Sequence, residues 1–133
     1  MTLVEILKER LRAGCAACGI GEEELEKVGV TQAADLRFGD YQSNAAMVLA
    51  KVVKQNPRSL AEAVAEVTEV SDLAEVEIAG PGFLNFRIRT EAFAGCLGDL
   101  LEDGRLGVER VRTPHRIVID FSAPNVAKPM HVG

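Results

Sequence analysis

Apolar residues recur every fourth position from Leu3 through Leu7 and Leu11 to Cys15, with Ile6 and Cys18 beside them. That spacing predicts an amphipathic helix over residues 2–18 with one buried stripe. Thr2, followed three positions later by Glu5, makes a capping-box start, and Gly19 is a natural stop. Residues 21–27 hold four glutamates and read as a solvated turn or short helix that repels phosphate. Between Ser43 and Lys54 the residues Ala45, Ala46, Met47, Val48, Leu49, Ala50, Val52 and Val53 predict a strongly apolar helix ending before Asn56-Pro57. A second helix starts with Pro57 in its first turn and a capping box from Ser59 to Glu62, and buries Leu60, Val64 and Val67. Both helices are expected to pack inward.

The period then changes. Val76 and Ile78 precede Gly80-Pro81-Gly82, and residues 83–89 (Phe-Leu-Asn-Phe-Arg-Ile-Arg) nearly alternate, which predicts two strands joined by a turn of type II character. Thr90 is placed to cap a further helix that buries Phe93, Leu97, Leu100 and Leu101 and ends near Gly104. Residues 107–114 read as a polar linker. Beyond it, Arg116–Phe121 carries three consecutive aliphatics, as does a strand buried on both faces of a parallel sheet, and the chain offers no partners for it. The expected fold class is α+β: a small antiparallel sheet packed with about four helices over residues 1–108, then a linker and the first strand and loop of a second domain over 109–133.

Length and charge narrow the function. At 133 residues the chain suits one domain and a stub, and 47% hydrophobic with 26% charged residues is the balance of an ordinary globular protein. A net charge of -5 excludes a generally basic nucleic-acid binder, so any RNA contact is expected to be local. No apolar run reaches the roughly 18–20 residues of a membrane span, and the start lacks a secretory pattern, so no membrane partner is expected and the address is cytoplasmic. Cys15-Ala-Ala-Cys18 lies in the last turn of a helix, where the dipole does not activate a thiol, and no second ligand pair exists; free thiols are expected and no metal site. His115 has no catalytic partner nearby in sequence.

The end of the chain carries the chemistry. After Asp120-Phe121 come Ser122-Ala123-Pro124-Asn125-Val126-Ala127-Lys128-Pro129-Met130-His131-Val132-Gly133. A strand that delivers such a loop to a helix start presents backbone N–H groups and a helix dipole to phosphate, with glycine allowing close approach. This run, with Phe38-Gly39-Asp40-Tyr41-Gln42-Ser43-Asn44 and Ala79-Gly80-Pro81-Gly82-Phe83-Leu84-Asn85 in the same order, resembles the arginyl-tRNA synthetases, class I enzymes whose nucleotide signature is His-x-Gly-His. The chain reaches only the third residue of that signature, and Pro129 stands where members often carry an acid. The resemblance implies a Rossmann-like catalytic domain opening near residue 109. It also implies an ATP and arginine site with Ser122, Ala123, Pro124, Asn125, His131 and Gly133. Lys128 and His131 lie beside the phosphates as the catalytic pair, where a cation and an imidazole stabilise spreading charge. ATP, accompanied by magnesium, is the implied substrate with L-arginine and the tRNA for arginine; no prosthetic group is implied, and a monomer is expected. Asp120 reads equally as a ligand for a substrate ammonium and as a cap for its own loop.

Within residues 83–89, alternation separates Leu84, Phe86 and Ile88 from Phe83, Asn85, Arg87 and Arg89. The second face suits RNA: an aromatic stacks on an unpaired base, an amide bonds its edge, and arginines meet phosphates. The resemblance implies the same, since the family's amino-terminal domain grips the D-loop corner of tRNA with an aromatic and an amide two residues apart. Phe83 and Asn85 are the candidates, with Tyr41 and Gln42 as further lining; the alternative packs Phe83 under a helix and leaves Asn85 as a turn residue. Asp40 or Ser43 is expected to cap the following helix. The functional expectation is a part of an arginine–tRNA ligase, inactive alone. A stand-alone RNA-binding module is the rival reading, and an α+β domain for protein contacts the third.

Overall fold

The computed structural model describes residues 2–120. Among these, α1 (Leu3–Ala17), α2 (Glu22–Leu25), β1 (Thr31–Gln32), a 3-10 turn at Leu36–Phe38, β2 (Tyr41–Ser43), α3 (Ala45–Val53), α4 (Pro57–Val67), β3 (Ala74–Ala79), β4 (Phe83–Ile88) and α5 (Thr90–Glu102) follow in order. The strands form one antiparallel sheet in the order β1-β2-β4-β3. The chain is therefore α+β, as its changing periodicity predicts.

One face of the sheet is the core face. Leu84, Phe86 and Ile88 of β4 are buried there, facing Leu7, Leu11 and Cys15 of α1, Leu49 of α3, and Leu60 and Val64 of α4 within one cluster. The capping box at Thr2 and Glu5 forms as predicted. β3 and β4 pair over their full lengths, from Ala74 opposite Ile88 to Ala79 opposite Phe83. The turn between them needs two glycines with positive φ, 54° at Gly80 and 136° at Gly82. At Gly82 a Cβ would also stand 2.9 Å from the carbonyl oxygen of Pro57, so the turn seats directly on the start of α4.

Several expectations are corrected. The helix at 57 is capped by Asn56, whose side chain accepts from the N–H groups of Arg58 and Ser59, and not by a Ser59–Glu62 box; Pro57 occupies the first helical position. Arg89, not Thr90, is the residue before α5, and it offers no side-chain cap. Val67 is 45% exposed, because it lies at the end of α4 beyond the sheet. Phe93, Leu97, Leu100 and Leu101 are exposed as well, since no described element covers that face of α5. As expected of a strand whose partners this chain lacks, the described part of 117–121, residues 117–120, forms no strand, and Ile117, Val118 and Ile119 are exposed. A strand needs a neighbour for its backbone groups, and no described residue offers an edge there. Phe121 lies outside the described residues.

Candidate nucleic-acid interface

The face of the sheet opposite the core is built by register. Gln42 of β2, Asn85 of β4 and Glu77 of β3 stand in one row across it; Phe83 faces Ala79 and Arg87 faces Glu75 in the rows on either side. The period of two turns each of these side chains away from the core.

Although it lies on this outer face, Asn85 is only 2% exposed. The amide Nε2 of Gln42 donates to its Oδ1 at 2.9 Å, which fixes the carboxamide, and its Nδ2 is buried with no hydrogen-bond partner. A buried donor left unmade costs about 1–3 kcal/mol, so an orphan in a native fold calls for an explanation.

The 3-10 turn stands beside Asn85 at the edge of this face. Asp35 caps it through the N–H of Arg37 and holds the Arg37 guanidinium; those bonds keep the Asp35 carboxyl below its ordinary range. The turn is clamped to β4 at both levels: the N–H of Asp40 donates to the carbonyl of Phe86 and the N–H of Ile88 donates to Asp40 Oδ2, each at 2.8 Å. Between them Gly39 takes a φ of 110°, and a Cβ there would meet the Phe86 carbonyl oxygen at 2.7 Å. The clamp sets Phe38 beside the sheet, where Phe38, Gly39, Glu77, Asn85 and Arg87 are among the residues lining a cleft of about 120 Å³.

The structure sorts the predicted residues. Phe83 is half-buried on the open face, its ring close to Gly80 of the turn. Gln42, half-buried, orients Asn85. Arg87 is exposed, donates to the carbonyl of Arg37 at 3.3 Å and makes no ion pair among the described residues. Arg89 is drawn away: its Nε donates to the Ser71 carbonyl at 2.7 Å and a terminal nitrogen lies 3.3 Å from Glu75. Tyr41 does not belong to this face. It pairs with Phe86 and packs against the core, because adjacent strand residues point to opposite sides. Ser43 Oγ accepts from the N–H of Ala45 at the start of α3, whereas Asp40 is used in the clamp. Phe38, 49% exposed at the cleft, is the residue missed by the alternation argument, since it sits in no strand.

A larger open cleft of about 1090 Å³ lies between α1, the end of α4 and β3. Its arginines are occupied. Arg10 forms a forked pair with Asp72 and also donates to the Glu69 carbonyl, which raises the guanidinium and lowers the carboxyl from their usual values. No group of three His, Cys, Asp or Glu among the described residues can hold a metal ion, and no described helix is long and apolar enough to cross a membrane. Ser122, Ala123, Pro124, Asn125, Lys128, His131 and Gly133 lie outside the described residues.

Residues 5–88 match the family model for the arginyl tRNA synthetase N terminal domain, and residues 97–133 match that for the class I (R) tRNA synthetase catalytic domain. The chain belongs to the arginyl-tRNA synthetase family. It is 45% identical over 131 residues to an arginine–tRNA ligase of Thermosynechococcus vestitus, covering 98% of this chain and 22% of that protein. Over 134 residues it is 40% identical to an arginine–tRNA ligase of Laribacter hongkongensis, covering 100% of this chain and 23% of that protein. The chain thus spans about a fifth of the length of the curated relatives it matches. The fold of the family is seen in the Thermus thermophilus arginyl-tRNA synthetase structure, with a TM-score of 0.60 and 23% identity over 87% of this chain and 17% of that one.

Proposed function

We propose that this part of an arginine–tRNA ligase reads an unpaired base of the tRNA D loop on the outer face of its sheet. The observation that carries the reading is Asn85 Nδ2: a buried donor, fixed by Gln42 and without a partner, at a cleft beside the half-exposed ring of Phe38. A base edge with an acceptor supplies the missing bond, and the rings of Phe83 and Phe38 offer stacking surface. Arg87 is the arginine of this face placed to meet phosphate. Arg89 contributes to holding the loop at Ser71, and Tyr41 to packing.

The wider activity is part of the same proposal. The parent enzyme attaches L-arginine to its tRNA at the expense of ATP, accompanied by magnesium, without a prosthetic group, as a cytoplasmic monomer. Ser122, Ala123, Pro124, Asn125, His131 and Gly133 hold ATP and arginine, and Lys128 and His131 stabilise the phosphates. Residues 1–108 form the RNA-contacting domain and 109–133 the linker and opening of the catalytic domain, which alone does not aminoacylate. The test is Phe83→Ala in a full-length ligase carrying this amino-terminal segment. Loss of one stacked base, about 1–3 kcal/mol, weakens tRNA binding roughly 5- to 150-fold. Unchanged tRNA affinity in the folded variant refutes the assignment.

A further inference from the structure

The helix α5 carries a second surface that the RNA face does not use. Phe93, Leu97, Leu100 and Leu101 fall at i, i+4, i+7 and i+8, one stripe along a helix of 13 residues, and are 45%, 57%, 40% and 71% exposed. Ala92, in its first turn, packs against the core cluster, and Cys96 a turn further on is half-buried. A stripe of this length left in water is costly, at about 25 cal/mol for each Å² of apolar surface, and contiguous apolar patches mark places of contact.

The second family match says what contact. The catalytic-domain model begins at Leu97, in the middle of α5, while the amino-terminal model ends at Ile88 just before it. The catalytic-domain match thus takes in Leu97, Leu100 and Leu101, ahead of the boundary at 108 and 109 proposed above and continuous with the helix that starts on the amino-terminal sheet. We infer that the α5 stripe is the docking seam between the two domains, its occupant being an apolar patch on the body of the catalytic domain of the same enzyme. A helix shared by both modules couples their positions.

The seam is tested by hydrogen exchange. The 133-residue chain is compared with a full-length chimera in which it replaces the matching segment of the Thermosynechococcus vestitus ligase. Amides of residues 93–101 are expected to exchange about tenfold more slowly or better in the chimera, while those of β4 are unchanged. Leu97→Asp with Leu101→Asp, both at exposed positions, removes the protection and leaves β4 protected. Equal exchange of residues 93–101 in the two proteins, or protection that survives the double substitution, overturns the inference. So does protection in the 133-residue chain that grows with its concentration, since a second copy would then be the occupant. Loss of tRNA binding in Phe83→Ala leaves this readout untouched, so the two proposals fail separately.

Discussion

Replacing Asn85 by valine should weaken RNA recognition without weakening the fold. Asn85 is 2% exposed in the central strand, and its Nδ2 lacks a partner. Removing that donor relieves about 1–3 kcal/mol of unmet hydrogen bonding, while losing the bond from Gln42 costs about 0.5–1.5 kcal/mol. Gln42 is half-buried rather than buried, so losing its partner costs less than a fully buried orphan would. Valine is also the better strand residue, by up to about 1 kcal/mol. The balance runs from a loss of about 0.5 kcal/mol to a gain of about 3.5 kcal/mol, read as the midpoint of urea unfolding followed by circular dichroism. Binding moves the other way. A site whose amide is held for one acceptor loses about 1–3 kcal/mol when the amide is gone, a roughly 5- to 150-fold weaker complex with the tRNA for arginine in the full-length enzyme. Destabilisation by more than about 1 kcal/mol would show that the amide is satisfied in the free protein, and unchanged tRNA affinity would show that nothing binds it; either result refutes the reasoning.

Gly14→Ala should destabilise the domain by about 1–3 kcal/mol although alanine favours helices by about 1 kcal/mol, because its Cβ would fall 2.0 Å from Thr68 Oγ1, whose hydroxyl donates to the Val64 carbonyl. Thermal unfolding checks this, and Thr68→Ala in the same chain should restore part of the loss. Burial pushes the Cys15 thiol up to about 11, so alkylation near pH 8 followed by mass spectrometry should label Cys96 and Cys18 well before Cys15; fast labelling of Cys15 in the folded protein contradicts the packing of α1. Arg10 holds the Asp72 carboxyl below its ordinary value. A depressed folded pKa gives stability that is present above the unfolded value, about 4, and is lost as pH falls through the folded one. The gap in unfolding midpoint between the native chain and Asp72→Asn should therefore shrink as pH drops below about 4.

The elements most legible in the sequence are those whose burial is continuous along one helix or strand. The stripe of α1 and the alternation of β4 each state their own buried face, and the structure agrees on both. The strands β1 and β2, of two and three residues, are too short for a period; they form because β4 has a second edge to satisfy. The face of Tyr41 follows from that same pairing, and without a strand at 41–43 nothing in the sequence separates Tyr41 from Gln42. At the caps, Asn56 outcompetes Ser59 because it stands one residue before Pro57, where its side-chain Oδ1 accepts from two free N–H groups at once. The α5 stripe is visible in the sequence, but periodicity reports only that a face is apolar, not which partner covers it.

The candidate site shows the same division more sharply. Alternation alone assigns Asn85 to an outer face, and on a bare sheet that residue would be wet. It is buried instead, beside a turn that Asp40, more than forty positions earlier in the chain, clamps to β4. Because Gln42 fixes the amide and Gly39 lets the turn pass close to Phe86, the donor is held in place before any ligand arrives. The charges around it point the same way. Glu75 and Glu77 stand on this face beside Arg87, and the chain as a whole carries -5, so attraction to phosphate is weak here. On the reading proposed above, recognition draws mainly on stacking and on the one fixed donor, which selects for the edge of an unpaired base rather than for the tRNA backbone.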